Sequence, residues 1–166
     1  QMCIRDSNYK VLLNKIFQNK VKNEYNVQFV EMNSGSEEWG IGDSMVRLTR
    51  HDWLRLAKAM MDDYQNDTCV GNYLKEIHKR RIPKNLGGDK DEPEFNRTKT
   101  YGGQFHFDYP GLKNRVVFGL GGRGGQAILI DVENSRIVVI NSIQYNNGKY
   151  KYNVKKLLID PIKNGR

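Results

Sequence analysis

At 166 residues, 38% hydrophobic and 28% charged, the chain has the composition of a globular protein with one core, which excludes disordered, collagen-like and disulfide-framed classes. No apolar run approaches the roughly 20 residues of a membrane-crossing helix, and the first residues carry neither the basic nor the apolar region of a signal peptide. The formal charge of +8 comes from basic residues spread between Lys10 and Arg166 and interrupted by acids, so it reads as a solvated surface with no nucleic-acid partner.

The opening Gln1 to Ser7 does not continue into the pattern that follows and is read as a non-native leader. From Asn8 to Gln18, Tyr9, Leu12, Leu13, Ile16 and Phe17 recur at helical spacing and predict one buried stripe. Residues 21–42 mix a short β-prone piece, Val27 to Met32, with Asn, Ser and Gly, and read as an irregular connection. Thr49 stands three residues before Asp52, the spacing of a capping-box variant, and predicts a helix start. That helix carries Trp53, Leu54, Leu56, Ala57, Met60, Met61 and Tyr64, and a second from about Val70 to Arg80 carries Tyr73, Leu74 and Ile77 as core residues. The basic cluster His78 to Arg81 falls at its end, where cations meet the helix dipole favourably.

Pro83 to Asn96 is too polar to order itself and marks a subdomain boundary. Beyond it the pattern is β, with strands expected over 100–107, 116–120, 126–132 and 136–142. Their short connections force antiparallel neighbours. Ala127 to Ile130 and Ile137 to Ile140 are apolar without alternation, so both faces of these strands require cover. A last helix, about Tyr150 to Leu158, covers one face, and the cover for the other is expected outside this chain.

Cys3 and Cys69 lie in no CxxC, and His51, His78 and His106 are scattered over different elements, so neither a metal site nor a cofactor is expected. The richest motif is Gly119-Leu120-Gly121-Gly122-Arg123-Gly124-Gly125-Gln126. A phosphate-binding loop would need a helix after the glycines, and a strand follows. One Arg-Gly-Gly is weak evidence for RNA. A tight turn needs fewer glycines than this, so close approach of another group to bare backbone is the better physical reading.

The segment Gly42 to Ala57, the helical pair, Tyr101-Gly102-Gly103-Gln104-Phe105, the Gly-rich run through Asp131, and Arg136 to Ile140 together resemble the C-terminal half of β-lactamase/penicillin-binding-protein-like serine hydrolases, in their esterase and 6-aminohexanoate-hydrolase-like branch. The resemblance implies an α/β fold of α+β type, an antiparallel sheet with flanking helices forming part of a β-lactamase/transpeptidase-like fold. Residues 8–97 would then belong to the helical subdomain and 98–166 to the α/β subdomain. It implies hydrolysis of a small ester or amide through an acyl-serine, with nucleophile and base missing from this chain, and export to a periplasmic or secreted location. A catalytically inactive ligand-binding relative is the alternative, with a basic nucleic-acid-binding domain a more distant one.

The family's Lys-Thr-Gly triplet falls on Leu120-Gly121-Gly122, and the backbone N–H of Arg123 becomes the expected oxyanion donor. Gly122 and Gly124 flank that donor, and Gly121, Arg123 and Gly125 are the expected substrate-binding positions. Leucine in place of lysine removes the cation for a β-lactam carboxylate unless the Arg123 side chain replaces it, which points to esters or amides. Ser7-Asn8-Tyr9-Lys10 spells the family's Ser-x-x-Lys by chance, as Tyr64-Gln65-Asn66 spells Tyr-x-Asn, and Lys99-Thr100-Tyr101-Gly102 misses Lys-Thr-Gly by one residue.

Overall fold

The computed structural model describes residues 9–23, 28–31, 44–83, 99–121, 126–140, 145–146, 149–150 and 155–165. The chain divides into two compact units, Gln1–Leu56 and Ala57–Arg166. The boundary expected near residue 97 falls within 84–98, outside the described residues, and residues 1–7, expected to be a leader, lie outside them too.

In the first unit α1 (Tyr9–Ile16) runs into a wider turn over Phe17–Val21 that ends on Lys22, whose left-handed φ of 60° lets its N–H reach the Phe17 carbonyl. The single buried stripe is corrected in part: Val21 is buried, whereas Ile16 is exposed. The β-prone piece is a strand, β1 (Gln28–Glu31), paired antiparallel with β2 (Ser44–Arg47). The second long helix, α2, spans Arg50–Gln65 and starts where the Thr49/Asp52 spacing puts it. Thr49 Oγ1 accepts the Asp52 N–H at 3.1 Å, satisfying one orphan donor of the first turn. The Asp52 carboxylate, only 1% exposed, accepts Arg55 Nη1 at 2.7 Å.

The second unit is an α+β arrangement of a six-stranded antiparallel sheet flanked by helices. Its strands are β3 (Ile82–Pro83), β4 (Thr100–Gly102), β5 (Phe105–Phe107), β6 (Val117–Gly121), β7 (Ala127–Asp131) and β8 (Arg136–Ile140), ordered in space as in sequence. The pairing of β6, β7 and β8 as consecutive antiparallel neighbours follows the sequence reading, with Gly119 opposite Leu129 and Leu129 opposite Val138. The stretch expected to be one strand over 100–107 is a hairpin. It turns at Gly103 and Gln104, both at positive φ, so that Tyr101 faces His106.

Alternation sends Val117, Leu129 and Val138 to one face of the sheet, where Leu158, Ile159 and Ile162 meet them. These belong to a wide turn, Lys155–Ile159, and to α4 (Asp160–Asn164), which packs on β7 and β8. Of the terminal helix expected over 150–158, Tyr150 stands in a strand, 151–154 lie outside the described residues, and 155–158 belong to the wide helical turn that leads into α4. Pro161 in its first turn starts α4, and Tyr145–Asn146 and Lys149–Tyr150 pair as a small hairpin, β9 and β10.

The opposite face presents Phe105, Phe107 and Phe118, and its cover lies in this chain, against expectation. Tyr64 of α2 stacks on Phe118 at 5.9 Å, and His78 of α3 (Cys69–Lys79) lies 5.1 Å from Phe107. Hence β7, apolar without alternation, is buried along its whole length.

At the β7–β8 turn Asp131 is fully buried and accepts the Asn134 N–H at 3.1 Å, Asn134 Nδ2 at 2.9 Å and Arg115 Nη1 at 3.2 Å. Asp131→Ala is expected to lose about 2–3 kcal/mol of unfolding free energy by stranding these donors, and Asp131→Asn less, because one amide oxygen still accepts. Urea melts of the two variants check the order.

Candidate functional site

The expected site centres on the end of β6. Of its positions, Gly122, Arg123, Gly124 and Gly125 lie outside the described residues, and Gly121 lies within them. Gly121 pairs with Ala127, is exposed, and among the described residues meets nothing closer than the Gln126 carbonyl, 3.9 Å from where a Cβ would stand. Along the other edge β5 pairs with β6 at one register position, His106 opposite Gly119. Leu120 and Gly121 therefore make ladder pairs with β7 alone among the described strands. Bare backbone at the end of a strand whose second neighbour has already turned away can present N–H or C=O groups to another molecule.

Gly119 differs. A Cβ there would stand 2.4 Å from the Tyr109 hydroxyl and 2.5 Å from the Ile128 carbonyl, so this glycine is a packing requirement. Tyr109 is 3% exposed, and burial raises its phenol far above the usual range. The Lys99 ammonium sits 5.1 Å from the Tyr109 ring centroid and is itself buried, a cation–π contact in a desolvated place. Neither residue carries a local signal of this contact: Tyr109 precedes Pro110-Gly111, a turn-forming pair, and Lys99 opens the near miss of the Lys-Thr-Gly spelling.

The remaining near-motifs have structural work. Tyr64 packs on Phe118, Gln65 Nε2 donates to the Val132 carbonyl at 2.7 Å, and Asn66 Nδ2 donates to the Asp62 carbonyl at 2.8 Å. The Thr100 hydroxyl donates to Asp108 Oδ2 at 2.7 Å. Ser7 and the Lys10 side chain lie outside the described residues.

Asp108, just beyond β5, is a half-buried charge with partners on β4 and just beyond α3. Arg81 forks onto it, Nε to Oδ2 at 2.6 Å and Nη2 to Oδ1 at 3.1 Å. Burial opposes its charge, but the hydrogen bonds from Arg81 and Thr100 together with the neighbouring charges of Arg81 and His78 outweigh burial and hold its carboxyl below the usual carboxylate value. A hollow of 360 Å³ over residues 111–115 is formed by one loop, and its Arg115 is engaged by Asp131. Among the described residues no three His, Cys, Asp or Glu side chains come together as metal ligands, and no helix is long and apolar enough to cross a membrane. No protein-family model, curated protein or solved structure matches the chain.

Proposed function

We propose that the chain contributes the oxyanion strand of a serine hydrolase resembling the β-lactamase/penicillin-binding-protein family, exported and acting on a small ester or amide through an acyl-serine. The observation that carries the reading is the order of elements. A strand ending on Gly121 is followed, across the glycine-rich sequence 122–125, by a second antiparallel strand and then a third, with a helix packed on the last two. The open backbone at Gly121 suits the approach of an acyl group, and Leu120, where the family has lysine, favours a substrate without a β-lactam carboxylate. In this reading the nucleophile and its base come from outside residues 8–166, and the Arg123 N–H stabilises the oxyanion.

Purified chain is expected to show no turnover of a chromogenic ester, since an oxyanion donor without a nucleophile has nothing to stabilise. Joined to a segment carrying Ser-x-x-Lys and the tyrosine motif, it should gain activity. Gly124→Val should then lower kcat about a hundredfold or more, the usual loss of one oxyanion donor. Arg123→Ala keeps the N–H and should change mainly substrate preference. Ester turnover by the chain alone that disappears in Ser7→Ala, or full activity of a folded Gly124→Val variant, would overturn the reading.

A further inference from the structure

The hairpin β4–β5 is the element through which the sheet reaches the open end of β6, and its attachment is uneven. Towards β6 it makes the single pair His106–Gly119. Towards α3 it is clasped by charge. Arg81, just beyond the C-terminal end of α3, forks onto Asp108 just beyond β5, and Thr100 at the head of β4 donates to the same carboxylate. A third Arg81 nitrogen, Nη1, donates to the His78 carbonyl at 2.7 Å, which ties the fork to the last turn of the helix. The His78 imidazole lies against Phe107, the residue before Asp108. Asp108 itself holds a φ of 53°, a left-handed conformation that aspartate tolerates but does not prefer, so the backbone here is retained by its contacts.

We propose that His78, Arg81, Asp108 and Thr100 form an acid-sensitive latch that holds the β4–β5 hairpin against α3 and so keeps β5 seated beside the glycine-rich end of β6. The charged groups that act on His78 are Arg81, Asp108 and Glu133. Burial and then Arg81 lower the imidazole pKa below its ordinary value, with Asp108 and Glu133 partly offsetting them. A base whose folded pKa is lowered binds fewer protons folded than unfolded, so the latch is fully closed above the unfolded value of 6.5 and weakens as pH falls through the folded value. Protonation places a second cation beside Arg81, competing for one carboxylate, and requires hydration of a ring now packed on Phe107. The Asp108 carboxyl, lowered below 3.8, stays ionised throughout that range. The inference does not depend on the hydrolase reading.

Amide hydrogen exchange of the full chain, corrected for intrinsic rates and compared at about pH 7.5 and about pH 5, tests it. Acid should accelerate exchange in 100–107 by about tenfold while leaving 127–140 unchanged. His78→Gln, neutral at both values, should remove the acid response, which also separates His78 from His106 on β5. Arg81→Lys keeps the charge but not the fork, and should loosen the hairpin already at the higher pH. An unchanged hairpin at low pH in the parent chain, a full acid response in His78→Gln, or a fully protected hairpin in Arg81→Lys would each overturn the latch.

Discussion

Replacing Gly71 by alanine is expected to cost at least about 3 kcal/mol of stability, although alanine favours a helix over glycine by about 1 kcal/mol. Gly71 sits in the first turn of α3, where its N–H donates to the capping Thr68 hydroxyl at 3.2 Å. The Cβ of alanine would stand 1.8 Å from the Asp63 carbonyl oxygen, 2.5 Å from its carbon and 3.0 Å from the Tyr64 Cα. All three are backbone atoms of α2, so no rotamer change relieves the overlap. The corner cannot slide freely either. The buried Asp63 accepts the Thr68 hydroxyl at 2.8 Å, and the Thr68 N–H returns to the Asp63 carbonyl. Either α3 lifts from α2 or the cap breaks, and either change disturbs the helices that cover the Phe118 face. Far-ultraviolet circular dichroism through a urea titration reads the loss as a lowered midpoint. A midpoint equal to or above that of the parent chain would show that helix propensity outweighs the contact.

The same corner shows what sequence makes legible. The start of α2 was readable because Thr49 and Asp52 interact within one turn, and the buried strands because apolar runs such as Ala127 to Ile130 report their own need for cover. Which elements supply that cover is a tertiary fact. Nothing local in Tyr64 or His78 announces Phe118 and Phe107 as partners, so a face that α2 and α3 close was expected to need another chain segment. The β4–β5 turn was hidden because Gln104 takes a positive φ that side chains rarely adopt, inside a stretch otherwise patterned as a strand. The last helix extends beyond Leu158 because Asp160-Pro161, a helix-start signal, carries it on to Asn164. At the candidate site, sequence locates a glycine-rich strand end and assigns roles to Gly121, Gly122, Gly124 and Gly125, but nothing local in it marks Gly119 as a packing requirement. Only the packing around each separates those that leave space open from those that let a neighbour in.

Gly119 and Gly121 make that separation measurable. Gly119→Ala is expected to cost several kcal/mol, whereas Gly121→Ala should fall within about 0.5 kcal/mol of the parent, as an open surface position would. At Gly119 two atoms oppose the methyl group, and they differ in kind. The Tyr109 hydroxyl, 2.4 Å away, is the far end of a side chain, but one that is 3% exposed and lies under Lys99, so it has nowhere to swing. The Ile128 carbonyl, 2.5 Å away, is backbone of β7, the strand whose Leu129 pairs with Gly119, and moving it strains the ladder. Tyr109→Phe removes the first obstacle and leaves the second, at the cost of whatever the buried hydroxyl contributes, about 1 kcal/mol for a hydrogen bond. Gly119→Ala combined with Tyr109→Phe should therefore be more stable than the sum of the two single changes predicts, by about 1–2 kcal/mol of coupling, yet still less stable than Tyr109→Phe alone. Chemical denaturation of the four proteins in one cycle gives that coupling directly. Strict additivity would mean that the hydroxyl does not occupy the Gly119 slot, and complete rescue by phenylalanine would mean that the Ile128 carbonyl yields without resistance. Only a Gly119→Ala variant as stable as the parent would return Gly119 to the set of glycines that leave backbone accessible, since either obstacle alone suffices to make it a packing requirement.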